Sequence, residues 1–190
     1  MKFVAMTLSL VGAALAVAWA DKQATETSFN GQEASAVVES FVREYYKERV
    51  GNLTAFLDKY TDWPDFGPAD SVLVASNYSI RKLTHNDMVA EIEVKFRVVG
   101  EESLGKLEVR EHEEIQVYNV QKRQNSWRIV EPIHIPCVSV SAELKRLRDL
   151  IEFSSVRLQK RNFTPQEPEE YFTRLRSDAE NSLSILLRYH

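Results

Sequence analysis

Residues 88–99 constrain the fold of this chain more than any other segment, because apolar and polar side chains alternate along them. Successive side chains of a β-strand point to opposite faces, so this alternation gives one apolar and one mostly charged face. The apolar face consists of Met88, Ala90, Ile92, Val94, Phe96 and Val98. Antiparallel sheets that cover a core on one side have this pattern. The segment is therefore predicted to be a half-buried strand with Phe96 at its centre.

Neighbouring segments extend this strand into a meander. Strand composition, rich in β-branched and aromatic residues, recurs in residues 72–83, 108–120 and 127–130, and a short extension runs to Val138. Residues 85–87 have turn chemistry, which places His85 towards solvent, and residues 100–106 are predicted to be a loop. The result is a mostly antiparallel sheet of four to six strands.

Two helices are predicted before the sheet. Apolar residues recur at helical spacing from Gln32 to Val50, and Gly51 is expected to end this helix. Asn52 is a suitable cap for a second, shorter helix that carries Leu53, Phe56, Leu57 and Tyr60. The prolines and glycine of residues 64–68 then exclude regular structure.

Two more helices are predicted after the sheet. Residues 141–161 carry a stripe of leucine, isoleucine and valine at helical spacing. Thr164-Pro165-Gln166-Glu167 has the form of a capping box with proline at the first helical position, which predicts that the last helix begins there. The fold class expected is α+β: N-terminal helices packed on a curved sheet, with a C-terminal helical hairpin appended.

Two segments resemble strands of the nuclear-transport-factor-two-like superfamily. They are residues 86–100, which include NDMVAEIEVKF and end in VVG, and residues 126–141, which include WRIVEP and VSV. The resemblance covers roughly residues 32–140 and implies an α+β cone whose sheet and helices enclose a pocket. Members include ketosteroid isomerase, dehydratases, epoxide hydrolases and domains that only bind or dimerise, so the fold does not decide the function. This chain departs from the family after Val140, where helices follow that either plug the cone, pack outside it or reach a partner.

The N-terminus has the form of a cleaved secretory signal. Lys2 precedes a short apolar run, and Ala18-Trp19-Ala20 fits a signal-peptidase site, with Asp21 as the first mature residue. The domain organisation expected is a signal peptide over residues 1–20, a flexible leader over 21–31, the cone-shaped domain over 32–140 and the helical extension over 141–190. Secretion or export to a periplasm follows, and an uncleaved anchor is the alternative.

Charge and apolar content exclude some partners. The formal net charge is −4, so no basic excess is present to neutralise nucleic-acid phosphates. No apolar run after the signal approaches the ~20 residues of a membrane helix, so no membrane contact is expected after cleavage. Residues 101–114 are acidic and residues 141–161 basic, and such surfaces either steer association or simply keep the protein solvated. Three glycosylation sequons occur, at Asn52, Asn77 and Asn162, and they matter only in a eukaryotic secretory route.

The candidate ligand-binding residues are tyrosines and aspartates. Tyr45, Tyr46, Tyr78 and Tyr118 either line a pocket or belong to the core. Asp58 and Asp62 lie one helical turn apart and thus on one face, where one of them would serve as a general base in an isomerase-like site. No acid–tyrosine or acid–arginine set of a family member can be matched, so no catalytic residue is assigned.

Metal and cofactor chemistry has little support in the sequence. His112 and Glu114 share one face of the third strand, but two ligands are too few for zinc. The single cysteine, Cys137, has no intrachain partner for a disulfide, and its apolar neighbours predict a buried thiol rather than a reactive one. No metal, cofactor or catalytic residue is therefore predicted.

Together these patterns favour a secreted or periplasmic binding domain that is not an enzyme. Its ligand would be a small apolar molecule in the cone, or a protein partner bound along the helical extension, with a homodimer as one form of such a partner. The alternative is an isomerase- or dehydratase-like enzyme that uses a pocket carboxylate, Asp58 or Asp62, and a tyrosine.

Overall fold

The computed structural model describes residues 33–190 apart from 49–50, 64–70, 162 and 166. The predicted signal peptide, the leader and residues 64–68 thus lie outside the described residues. The helices are α1 (Ala34–Lys47), α2 (Leu53–Tyr60), α3 (Val140–Lys160) and α4 (Glu169–Leu186). The strands are β1 (Val72–His85), β2 (Val89–Ser103), β3 (Lys106–Arg123), β4 (Ser126–Glu131) and β5 (Val138–Ser139).

The predicted fold class is confirmed. The described strands form a curled half-barrel in the order β4-β3-β2-β1-β5, preceded by two helices and followed by a helical hairpin. All neighbours are antiparallel except β1 and β5, where Val74 and Val138 pair in parallel. This parallel pair requires the chain to return across the sheet between β4 and β5, which brings the start of α3 beside β1.

The N-terminal helices cover the sheet with an aromatic cluster. Val37, Val38, Phe41 and Val42 of α1 are fully buried, at the helical spacing read from the sequence. The Phe41 ring stacks on Phe56 of α2 at 5.1 Å. The Asn52 side chain accepts a hydrogen bond from the Ala55 N–H, so its predicted role as a cap is confirmed. The first helix, however, ends at Lys47 rather than near Gly51, because Glu48 is already extended.

The register of β2 agrees with its alternating pattern except at the ends. Ala90, Ile92, Val94 and Phe96 are fully buried, whereas Met88 lies just outside the strand and is mostly exposed. A β-bulge between Val98 and Gly100 turns both Val98 and Val99 into the interior. The predicted loop at residues 100–106 is wrong, because both strands continue to a tight hairpin turn at Leu104 and Gly105, which have positive φ.

Strand β3 differs more from expectation. Ile115 and Val117, two of the apolar residues that predicted this strand, point outwards and are exposed. Gln116 and Tyr118 occupy the inner face instead. The pattern misled because this strand has apolar residues on both faces, and only its pairing with β2 decides which face is buried.

Gly100 is needed where the two long strands approach each other at the bulge. A Cβ atom at this position would overlap the backbone carbonyl oxygen of Glu108 and lie 3.1 Å from Val109 Cα. We expect Gly100→Ala to destabilise the protein by about 1–3 kcal/mol through overpacking, measured by urea unfolding. Gly51→Ala is the control, since nothing lies within 4 Å of its Cβ position. Equal stabilities of the two variants would contradict the tight approach at the bulge.

The C-terminal helices form the predicted hairpin, but the second begins later than expected. Thr164 and Glu167 close a turn with two backbone hydrogen bonds, and the Thr164 hydroxyl accepts from the Glu167 N–H at 3.1 Å. The capping-box bond therefore exists, yet α4 begins only at Glu169, after Pro168. Pro168 has no N–H to donate and adopts an extended conformation, so the turn does not continue into the helix.

The hairpin packs directly on the sheet. Leu144, Leu147, Ala179 and Leu186 belong to the same apolar core as the strands. The Leu107 N–H on β3 donates to the Ser182 hydroxyl of α4 at 2.8 Å. The division between a cone-shaped domain and an extension at residue 140 stays a prediction, while the two parts share one core.

Among the described residues, no helix is both long and apolar enough to cross a lipid bilayer.

Candidate binding groove

An open groove lies where α1, β1 and the start of α3 meet. It has a volume of about 500 Å³ and is lined by Tyr46 and Tyr78, by the first residues of α3, and by Tyr189. A second trough of about 480 Å³ continues from it past Lys47 and Ser141. We call the two together the binding groove; its lining also includes Arg43, Ser76, Ser139, Val140, His190, Ala142, Lys145, Arg146, Glu48, Gly51 and Asp149.

Basic side chains outnumber acidic ones in the lining of the binding groove, four to two. Arg43 and Lys47 come from the last turns of α1, and Lys145 comes from the second turn of α3. Lys47 and Lys145 are exposed, and neither makes an ion pair with another described residue. Arg43 lies 3.9 Å from Glu39, a weak contact between two exposed side chains. The N-terminus of α3 adds the positive end of a helix dipole to the same groove.

Two of the predicted tyrosines form one wall of this groove. The rings of Tyr46 and Tyr78 meet edge to face at 4.9 Å, and the Tyr46 hydroxyl donates to the Ala75 carbonyl oxygen. Burial, with smaller contributions from Tyr78 and Cys137, raises the pKa of Tyr46 to about 12. Burial also raises the pKa of Tyr78. Both phenols therefore remain neutral near pH 7 and cannot act as bases. The Tyr78 hydroxyl can donate a hydrogen bond to a ligand, whereas that of Tyr46 already donates to Ala75.

The other two tyrosines belong to the core. Tyr45 is buried against the Phe56 ring, at 5.7 Å. Tyr118 is completely buried, and its hydroxyl donates to the Gln116 side-chain oxygen at 2.6 Å. The Gln116 side-chain nitrogen, also buried, has no hydrogen-bond partner among the described residues. Burial, followed by Cys137, raises the pKa of Tyr118 well above the usual range. Neither tyrosine is available to a ligand in this conformation.

The two aspartates do not form an acid–tyrosine site. Asp58 is exposed on α2. Asp62 is also exposed, and its carboxylate accepts a hydrogen bond from Arg128 at 3.0 Å and lies 3.6 Å from Arg123. Arg128 donates further hydrogen bonds to the backbone carbonyls at the end of α2, so this pairing ties the helix to β4. Asp62 thus serves the packing of the helix rather than a pocket.

A different carboxylate meets a tyrosine, and sequence reasoning missed it. The Glu44 carboxylate accepts hydrogen bonds from the Tyr60 hydroxyl at 2.5 Å and from the Lys59 ammonium at 2.7 Å. Burial raises the pKa of Glu44, but the two hydrogen bonds and the charges of Lys59 and Arg43 together outweigh burial and leave that pKa below its usual value. Burial and Glu44 raise the pKa of Tyr60. An ionised, exposed acid and a buried, neutral phenol thus link α1 to α2.

His112 and Glu114, judged too few for a metal site from the sequence, also lie close together in the structure. His112 Nε2 lies 3.7 Å from Glu114 on the inner face of β3. Within the described part of the chain, no group of three or more histidine, cysteine, aspartate or glutamate residues is placed to hold a metal. Cys137 is buried, and burial, followed by Glu114, raises the pKa of its thiol to about 12. The thiol is therefore unreactive near neutral pH.

Most of the groove could not have been located from sequence patterns. Lys47, Ser141, Lys145 and Tyr189 belong to segments far apart in the chain, and the parallel pairing of β5 with β1 brings them together. One available indication was the basic excess of residues 141–161. Of the sequons, Asn52 and Asn77 are exposed, whereas Asn162 lies outside the described residues.

Comparison with known proteins found no match: no family model, no curated protein and no solved structure resembles the chain significantly. The resemblance to the nuclear-transport-factor-two-like superfamily stays a prediction.

Proposed function

We propose that this protein is a secreted or periplasmic, non-enzymatic binding domain that holds an acidic segment of a protein partner in its binding groove. The observation that carries the proposal is that exposed lysines, neutral tyrosines and a helix N-terminus lie along one open groove. Anionic side chains are stabilised by each of these features.

The choice of a protein rather than a small apolar ligand rests on the packing inside the curled sheet. Phe41, Phe96 and Tyr118 are completely buried there, and they fill the region where a cone-shaped pocket is expected. The open space lies outside this core, and charged and hydroxyl-bearing side chains make up much of its lining. An open groove with exposed cations suits an extended acidic chain better than an apolar molecule, which favours an enclosed site.

The enzyme alternative has less support. The two aspartates named for it lie on the surface, away from the groove lining. A general base must lie within hydrogen-bond reach of its substrate, together with a donor for the developing charge. The groove offers donors, namely the Tyr78 hydroxyl and the lysines, while its acids, Glu48 and Asp149, lie in the other trough from Tyr78. Binding without chemistry is the function that this arrangement suits.

A charge-reversal experiment tests the proposal. The probe is a fluorescein-labelled decapeptide of alternating glutamate and leucine, and binding is followed by anisotropy at two salt concentrations. We expect Lys47→Glu combined with Lys145→Glu to weaken binding at least tenfold, which corresponds to about 1.4 kcal/mol, because both cations face the groove. Binding to the unchanged protein should also weaken as salt rises.

The matched control is Lys122→Glu combined with Lys160→Glu, which changes the net charge equally at exposed positions outside the groove. This variant should bind within about twofold of the unchanged protein. If both double variants lose affinity equally, the peptide follows net charge rather than the groove, and the proposal fails.

A further inference from the structure

Strand β3 is much longer than β4, the strand beside it at the edge of the sheet. It extends over Lys106–Arg123, and β2 pairs with it along nearly its full length. On its other side β4 pairs only with Asn119–Arg123. The part of β3 before Asn119 therefore has no strand partner on this side among the described residues, and α4 covers its beginning, where the Leu107 N–H donates to Ser182.

The backbone groups that face this edge can be identified from the pairing pattern. The Lys122 N–H donates to the Met88 carbonyl oxygen at 2.9 Å, so even-numbered residues in this half of β3 bond towards β2. Alternate residues of an antiparallel strand direct their N–H and C=O groups to opposite sides. Glu113, Ile115 and Val117 consequently face the other side, and no described backbone or side-chain group bonds to their amides there. We call these three residues the open edge.

Side chains on the open edge leave it accessible. Ile115 is 54% exposed and Val117 is 37% exposed. The Glu113 side chain is 63% exposed and pairs with Lys95 on β2 at 2.7 Å, so it does not lie across the edge. Exposed β-branched residues on an unpaired strand favour the addition of another strand, a geometry that proteins usually block.

The charge along this edge selects the kind of strand it would accept. Residues 108–118 contain four glutamates and one arginine, and Lys95 and Lys106 pair with two of these glutamates, so the segment together with the two lysines carries 3 − 4 = −1 with neutral histidine. A second copy of the same strand would bring the same negative charge and be repelled. A strand with lysine or arginine at alternate positions would be attracted.

We infer that the open edge binds an extended, basic segment of a partner protein by β-strand addition. Main-chain hydrogen bonds to Glu113, Ile115 and Val117 hold the segment, and its basic side chains lie beside the glutamates of β3. This surface shares no residue with the binding groove, so it can hold a partner whether or not the groove binds an acidic segment.

The test uses an alternating lysine–valine octapeptide with the full-length mature chain. Titration calorimetry should give saturable binding, and hydrogen exchange measured by NMR should show the Glu113, Ile115 and Val117 amides protected at least tenfold. N-methylation of every second peptide amide removes the donors needed for strand pairing and should reduce affinity at least tenfold. Unchanged exchange at saturating peptide, or equal affinity of the methylated peptide, would overturn the inference.

Protein variants provide an independent arm. Ile115→Pro removes an N–H that makes no bond within the described structure and should reduce affinity at least tenfold, while Ile115→Thr keeps the N–H and should bind normally. Circular dichroism establishes that both variants are folded, and if the proline variant is not, the methylated peptide decides the question. Sedimentation tests the alternative that the edge binds a second copy of this chain. If the unchanged protein forms concentration-dependent dimers and Ile115→Pro abolishes them, the edge binds a second copy and the basic partner is refuted.

Discussion

Replacement of Arg146 by alanine is expected to destabilise the protein by about 3–5 kcal/mol, because it removes the cation shared by two buried carboxylates. Glu102 on β2 and Glu143 on α3 are each 1% exposed. The Arg146 guanidinium donates to Glu143 at 2.8 Å and forms an ion pair with Glu102. Burial lowers the pKa of Arg146, but its hydrogen bond to Glu143 and the attraction of both acids raise it overall, so the arginine stays charged.

Urea unfolding followed by circular dichroism measures this loss. Arg148→Ala is the control, since it removes an exposed arginine from the same helix and should change stability by less than about 0.5 kcal/mol. Adding Glu102→Gln to Arg146→Ala should recover part of the loss by removing one unpaired charge. A loss below about 1 kcal/mol for Arg146→Ala would mean that water reaches the two carboxylates.

Phe96→Ala is expected to cost a similar amount, about 3–5 kcal/mol, through lost apolar burial and the cavity left behind. The ring is completely buried at the centre of β2 and lies 5.9 Å from the Tyr78 ring. Because Tyr78 also lines the binding groove, loss of this contact should reduce the affinity of the groove for the acidic peptide as well as the stability of the core. Thermal and urea unfolding give the stability, and the acidic peptide gives the effect on binding.

Lys95→Ala provides the matched comparison for Phe96, since it changes the neighbouring residue on the opposite face of the same strand. Its ammonium pairs with Glu113 at the surface, so the loss should be about 0–1 kcal/mol. Comparable losses for the two variants would place Phe96 outside the core and would contradict the register of β2.

The binding groove and the open edge carry charges of opposite sign. The groove presents Lys47 and Lys145, whereas the open edge lies on a strand segment with four glutamates. The acidic segment 101–114 and the basic segment 141–161 meet in the buried pair of Glu102 and Arg146, whereas Glu113 and Lys145 of the same two segments lie on different surfaces. A partner with separate acidic and basic segments would be able to occupy both surfaces at once, which raises the effective concentration of the second contact.

The sequence by itself determined the element types and much of the core. The alternation of residues 88–99 identified β2 and the burial of Phe96, and the helical spacing in α1 identified its buried stripe, because both periods are local properties of the backbone. Asn52 was assigned as a cap for the same reason, since its bond reaches only three residues along the chain. The predicted boundaries differed from the structure where a local signal competed with packing: the last helix begins after Thr164, and residues 100–106 are mostly strand.

Only the tertiary structure decided which residues meet across the fold. Tyr46 and Tyr78 line an open groove and Tyr45 and Tyr118 lie in the core, although local sequence patterns did not distinguish the four tyrosines. The ion pairs of Arg146, the outward direction of Ile115 and the open edge of β3 all depend on strand pairing and helix docking. Such contacts join residues distant in the chain, and a local pattern contains no information about them until the register of the sheet is set.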